Sequence, residues 1–188
     1  MAAQRNGKKS GRQAPLTTSR PDLLVAGTDD AFRDFIHNFL AFSERVMAVR
    51  EGFGDLIGLT GIQYTVLVSI AHLQVRGPVS INIVATHLHF SGAFITTVTN
   101  QLERAGLVLK SRDKTDRRRL AVTTTRKADG LLNQLAPAQR QVNDLLFQRL
   151  EKSQFRELQR LMEGLVASGD EALRLLDYVR QSQKHPRQ

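Results

Sequence analysis

The chain has 188 residues, 41% hydrophobic and 24% charged, an ordinary globular composition that can bury a core in one domain or two closely connected ones. Lys and Arg outnumber Asp and Glu 27 to 18, and a pI of about 10.6 favours an acidic partner such as DNA, RNA or an anionic membrane. The lack of cysteine excludes disulfides, thiolate nucleophiles, cysteine-held metals and thiol redox sensing, and with neither an apolar run of about 18 residues nor a secretory signal the expected location is the cytoplasm, with no membrane partner.

Residues 1–28 carry Arg5, Lys8, Lys9, Arg12 and Arg20 with no acid before Asp22, and are expected to form a disordered basic tail. From Asp29 the positions Phe32, Phe35, Ile36, Phe39, Val46 and Val49 recur at helical spacing, which predicts an amphipathic helix ending near Glu51 and Gly52, with Asp29 or Asp30 as its cap. Phe32, Phe35, Phe39 and Phe42 crowd its first half, so segment 29–58 reads as a dimerisation helix and linker. Thr60 caps the next helix, whose inward stripe is Ile62, Val66, Leu67 and Ile70 and which Gly77 and Pro78 end. After a short extended piece at residues 79–81, Asn82 is expected to cap a brief helix over 83–88. His89 and Phe90 link it to a helix over 92–104, capped by Ser91 and stopped at Ala105 and Gly106. Two short helices with so tight a connection have helix-turn-helix spacing.

Leu107 to Arg112 and Arg119 to Thr123 are strand-like runs around a charged turn. Val108 shares a side with Lys110 and Arg112, and Leu107 with Leu109, so one face can pack while the other is wet. A long helical pattern then runs from the cap Thr125 through Leu131, Leu132, Leu135, Val142, Leu145, Leu146 and Leu150, with a kink or break expected at Pro137. Ser153 is the expected cap of a last helix with Phe155, Leu158, Leu161, Met162, Leu165, Leu173, Leu176 and Val179 in its stripe. These flanking helices are more apolar than one small winged domain can cover, which implies a homodimer. The resulting fold class is mainly α with a small β-hairpin wing: a winged helix-turn-helix domain at 59–125, dimerisation helices at 29–58 and 126–180, and a frayed end at 181–188.

At 100° per residue, Phe94, Ile95, Val98 and Leu102 fall on one side of the 92–104 helix, while Ala93, Thr96, Thr97, Asn100 and Arg104 project opposite. That outward face is small near the N-terminus, polar, and free of acids until Glu103, as a helix entering a DNA major groove requires. With the cap Ser91 these residues are the candidate base and backbone contacts. The hairpin tip supplies the second contact: Asp116 can orient Arg118 for a narrow minor groove, and Lys114, Arg117 and Arg119 suit phosphates.

The stretches LTGIQYTVL (59–67), GPVSINIVATHL (77–88), ITTVTNQLERAGLVLKSRDKTDRRR (95–119) and VTTTRKADGLL (122–132) resemble the MarR (multiple antibiotic resistance regulator) type of winged-helix transcription factors. The resemblance implies a homodimeric transcriptional regulator on a pseudopalindromic double-stranded DNA operator, and repression is its expected effect. The 92–104 helix would lie in the major groove and Arg118 in the minor groove. It departs from the pattern at Thr124 to Ala128, where the family usually has Leu-Thr-x-x-Gly, and the missing cysteine excludes the peroxide-sensing branch. It further implies a small-molecule effector, aromatic or acyl-thioester in kind, held between the winged domain and the dimerisation helices, for which Phe32, Arg33, Ile36, His37 and Tyr64 are the candidate liners.

His87-x-His89 places two imidazoles in diverging directions without a third donor, so no metal is expected. No phosphate loop, nucleophile elbow or paired-carboxylate motif is present, and neither catalysis nor a cofactor is expected. The rival reading is a winged-helix module for non-specific nucleic-acid binding or protein assembly.

Overall fold

The computed structural model describes residues 14–112 and 120–184. In chain order its elements are α1 (Asp30–Asp55), α2 (Gly61–Gln74), α3 (Ile81–Leu88), α4 (Gly92–Arg104), β1 (Val108–Arg112), β2 (Leu120–Thr124), α5 (Arg126–Leu146) and α6 (Lys152–Lys184), preceded by a 3-10 turn at Pro21–Leu23. The expected fold class, a helix-turn-helix with a hairpin wing between longer helices, is what the chain adopts. The chain divides into two compact units, one up to Pro137 and one from Ala138.

The first unit is organised by α2. Thr60 closes a capping box at its start: the Thr60 hydroxyl accepts from the Gln63 amide (3.3 Å), and the Thr60 amide donates to the Gln63 side-chain oxygen (3.0 Å). Val66, Leu67 and Ile70 of α2 are fully buried among Val84 and Ala85 of α3, Ile95, Val98 and Leu102 of α4, and Val108 and Val122 of the hairpin. Each such side chain contributes about 1.5–3 kcal/mol by leaving water. A second, smaller cluster joins Phe53 of α1, Tyr64 of α2 and Leu135 of α5, with the Phe53 and Tyr64 rings edge-on at 5.6 Å.

Several boundaries differ from expectation, each for a local reason. Helix α3 begins at Ile81, because Ser80, in extended conformation, accepts from the Ile83 amide (3.3 Å); Asn82 lies inside the helix. Helix α1 continues past Gly52, which lies in open space, to Asp55, and of its two glycines Gly54 is the one that serves close approach. A Cβ at Gly54 would sit 2.6 Å from the Leu59 carbonyl oxygen, while the left-handed turn falls later, at Gly58 with φ 72°. Thr125 caps α5 as expected, accepting from the Ala128 amide at 3.2 Å. The helix then runs unbroken through Pro137 and stops at Leu146, short of Leu150.

The hairpin pairs Val108 with Thr124 through to Arg112 with Leu120. Val79 accepts a hydrogen bond from the Val122 amide (2.8 Å), and Ser80 bridges to Ala121, so the piece before α3 adds a short third strand. Leu107 and Val108 are both buried whereas Leu109 is exposed. The alternation starts only at Val108, since Leu107 still belongs to the turn that closes α4.

Within the segment assigned to the basic tail, residues 15–28 are tied to the start of α1. The Thr17 amide and hydroxyl both donate to Asp29 (2.6 Å each), and Arg33 donates to Asp29 (3.0 Å) and to the Pro15 carbonyl (2.6 Å). These donors, the Thr17 hydroxyl foremost, hold the Asp29 carboxyl well below the usual carboxylate range. Asp29 therefore stands at the N-cap position of α1 without capping it.

In the second unit, α6 begins at Lys152, with the Gln154 side chain accepting from the Glu151 amide (2.9 Å), so Ser153 lies one residue inside the helix. None of the residues of α6 is buried, and its stripe positions Phe155, Leu158, Leu161, Leu165, Leu173 and Leu176 are all exposed.

Gly54→Ala is expected to destabilise the first unit by about 1–3 kcal/mol, because the new methyl group meets backbone. Gly130→Ala, in open space on α5, is expected to stabilise by about 1 kcal/mol. Denaturant unfolding of both variants checks the pair.

Candidate nucleic-acid interface

Burial fixes the rotation of α4. Ile95, Val98, Thr99 and Leu102 are at most 3% exposed, and Ala93, Thr96, Thr97 and Arg104 face outward with Asn100 half-buried among them. Ser91 starts the helix by accepting from the Phe94 amide (3.2 Å). The structure thus brings six of the expected contacts, Ser91, Ala93, Thr96, Thr97, Asn100 and Arg104, onto one element. The other five, Lys114, Asp116, Arg117, Arg118 and Arg119, lie outside the described residues.

The hydrogen bonds on this face determine what it can offer. The Thr96 hydroxyl donates back to the Gly92 carbonyl (2.8 Å) and that of Thr97 to the Ala93 carbonyl (3.1 Å). Each hydroxyl proton is thereby used, and the lone pairs that remain are acceptors, suited to the amino groups of cytosine and adenine in a major groove. Asn100 is the converse: its carbonyl oxygen accepts from Lys110 of β1, which leaves its amide protons as donors. Lys110 also pairs with Glu103 at 3.1 Å, with its side chain only 12% exposed. The one acid on α4 is thus neutralised from within the domain, and Arg104 stands exposed at the C-terminal end of the helix.

One aromatic residue stands other than the helical projection has it. Phe94 was expected in the core with Ile95, yet it is 41% exposed and packs on Phe90, 42% exposed, with ring centroids 5.1 Å apart. Its place at the edge of the apolar arc, one turn from the helix start, is the signal that separates it from Val98 and Leu102.

The expected ligand liners do not form one group. Arg33 is committed to Asp29 and Pro15, His37 is exposed, and Phe32 and Ile36 are half-buried. Tyr64 is buried in the second cluster, against which Val49, Ile57, Val68 and Leu132 pack. The residue missed is Arg50 of α1. Its guanidinium lies 5.3 Å over the Tyr64 ring and donates to the Thr65 hydroxyl (2.7 Å), which donates in turn to the Gly61 carbonyl (2.7 Å). No carboxylate pairs with Arg50 among the described residues. Burial pulls Arg50 below its ordinary value and pushes the Tyr64 phenol up. In the sequence, Arg50 is one helical turn before Phe53 and next to Val49, an inward position for a cation.

His72 and His87 stack at 6.2 Å, and burial, then the charges of His72, Arg76 and His89, push the His87 imidazole down. No group of three metal-ligating side chains occurs among the described residues.

The family model for the MarR family matches residues 59–120. Among solved structures, a probable transcriptional regulator from Pseudomonas aeruginosa is 26% identical with a TM-score of 0.56, over 71% of this chain and 98% of that one. The MepR–DNA complex of S. aureus is 18% identical with a TM-score of 0.60, covering 71% of this chain and 96% of that one. BpsR of Bordetella bronchiseptica, whose DNA binding is regulated by 6-hydroxynicotinic acid, is 22% identical with a TM-score of 0.57, over 69% and 91%. No curated protein matches the chain by sequence.

Lys110→Met keeps the aliphatic stem and removes the ammonium that joins Asn100 and Glu103. It is expected to destabilise the first unit by about 1.5–3 kcal/mol, checked by denaturant unfolding, with faster amide exchange along β1.

Proposed function

We propose that this chain, which carries a MarR-family winged-helix domain over residues 59–120, is a homodimeric, sequence-specific transcriptional regulator. In this reading it binds a pseudopalindromic operator in the cytoplasm, acts as a repressor, and is released by a small ligand. The observation that carries the reading is the outward face of α4, with threonine acceptors, an asparagine donor, a neutralised acid and a terminal arginine. Those groups complement base edges and phosphates. Arg118, oriented by Asp116, is assigned to the minor groove, and Lys114, Arg117 and Arg119 to phosphates. The fold shared with the MepR–DNA complex supports the same docking.

Dimerisation is supported by the exposed apolar side chains of two helices, Phe35, Phe39, Leu40 and Met47 on α1 and the stripe of α6. Exposure on this scale is stable in water only when a second copy covers it. No single helix among the described residues is long and apolar enough to cross a membrane.

For the ligand, Arg50 joins the candidate liners as the anchor, since Arg33 is committed to Asp29 and Pro15. A half-buried guanidinium with no carboxylate partner among the described residues, above the Tyr64 ring, suits an anionic aromatic molecule or the thioester of one. BpsR, with its hydroxynicotinic acid, is a precedent in the same fold.

Selection from a random duplex pool is expected to return one palindromic site. Arg118→Ala is then expected to weaken binding to it and to lower the salt slope by about one unit, while Thr97→Val alters base preference. Equal binding of all duplexes, lost on removal of residues 1–28, would establish the non-specific module instead. In a thermal-shift screen of aromatic carboxylates, hits stabilise the wild type and lose their effect in Arg50→Gln; hits indifferent to that substitution would remove Arg50 from the site.

A further inference from the structure

We propose that Phe90 and Phe94 form an apolar reader of pyrimidine C5-methyl groups, so that the operator holds a thymine at a fixed place in each half-site. The inference rests on the DNA-binding reading above and extends it from hydrogen bonding to an apolar contact.

Every other large apolar side chain of α4 is at most 3% exposed, yet Phe94 is 41% exposed. It is not loose, since its ring is held against Phe90 with centroids 5.1 Å apart. Two features of the turn fix that pairing: His89 adopts a left-handed conformation with φ 55°, which ends α3 abruptly, and Ser91 then caps α4 through the Phe94 amide itself. Two rings ordered in advance lose little entropy on meeting a surface.

What lies around the pair selects its occupant. Gly92 and Ala93, between the two rings in sequence, add almost no bulk, so the backbone at the helix start can come close to a partner. Thr96 and Thr97 follow one turn later with their acceptors outward. N-terminal residues of a recognition helix are those that reach base edges. In a major groove the apolar group available is the methyl of thymine, for which a phenyl ring is a suitable contact. Two rings are far smaller than the several hundred Å² that one side of a stable protein interface buries, which disfavours a protein partner.

The test uses the full chain and the site selected from random duplexes. Each thymine is replaced in turn by deoxyuridine, which removes one methyl and leaves every hydrogen-bonding group. One thymine per half-site is expected to show a loss of affinity of about four-fold, the equivalent of one buried methyl. In Phe90→Ala and Phe94→Ala that loss disappears, while the hydrogen-bond-dependent preferences at other positions persist; Phe94→Leu keeps part of it and controls for folding. A wild-type scan flat at every thymine overturns the proposal without any variant, and so does a deoxyuridine penalty that survives both alanine substitutions. Failure to select any site at all overturns the DNA-binding reading itself, a separate outcome from a selected site whose methyl groups are ignored.

Discussion

The packing of α4 against α2 is the constraint on which the rest of the first unit depends. Ile95, Val98 and Leu102 have no water-exposed alternative once Val66, Leu67 and Ile70 offer them a dry surface. Because side chains on a helix are spaced at a fixed angle, burying these three sets the direction of every other residue on α4. The threonine face therefore results from the core, and a substitution that rotates α4 would misdirect several candidate contacts at once. The caps add to this. Thr60 and Ser91 fix where α2 and α4 begin, which sets the register of their contact along the axis as well as around it.

The wing is fastened to that core by polar as well as apolar means. Val108 and Val122 bury against it, the Val122 amide reaches the Val79 carbonyl, and Gln74 of α2 both accepts from the Thr124 amide (3.0 Å) and donates to its hydroxyl (2.7 Å). Lys110 then joins β1 to Asn100 and Glu103. A mostly covered ammonium is costly unless it is paired, so Lys110 holds its two partners in place with more force than an exposed salt bridge could. Strand β1 and the outward face of α4 are thereby tied directly to each other.

How much of this could be read from the sequence depends on whether the signal was periodic or spatial. The helices over 61–74 and 92–104 and the caps Thr60, Ser91 and Thr125 were legible, because apolar spacing and a hydroxyl before it are local properties. The start of α3 was not. Ser80 and Asn82 are equally good caps by type, and pairing of Val79 with β2 decides between them by holding residue 80 extended. Gly52 reads as a helix stop, yet α1 runs past it, and Gly54 answers to the approach of Leu59 and Thr60, which the sequence cannot display. Leu107 misled the strand pattern because it closes α4. Phe94 was misplaced because a residue at the edge of an apolar arc is buried only when something covers it. Arg50 was passed over for a related reason: a lone basic residue among valines gives no sign of an aromatic ring from the next helix lying beneath it.

The position of Arg50 has a thermodynamic consequence for the proposed regulation. Helix α2 serves both clusters, with Tyr64 in the one that Phe53 and Leu135 complete and Val66, Leu67 and Ile70 in the one that orients α4. Gln63, the residue before Tyr64, donates from its side chain to Gln101 of α4 (3.1 Å) while its oxygen serves the capping box of α2. An anion drawn to Arg50 would also meet Thr65, whose hydroxyl is already bonded within the first turn of α2. The ligand would then act on α2 directly and DNA through α4, which packs on it, and neither need touch the other's side chains. Their effects are reciprocal by linkage: whatever factor the ligand takes from operator affinity, the operator takes from the ligand's. A ligand that binds the free and the DNA-bound protein equally would leave DNA binding unchanged however tightly it is held, so affinity for Arg50 alone is no measure of regulation.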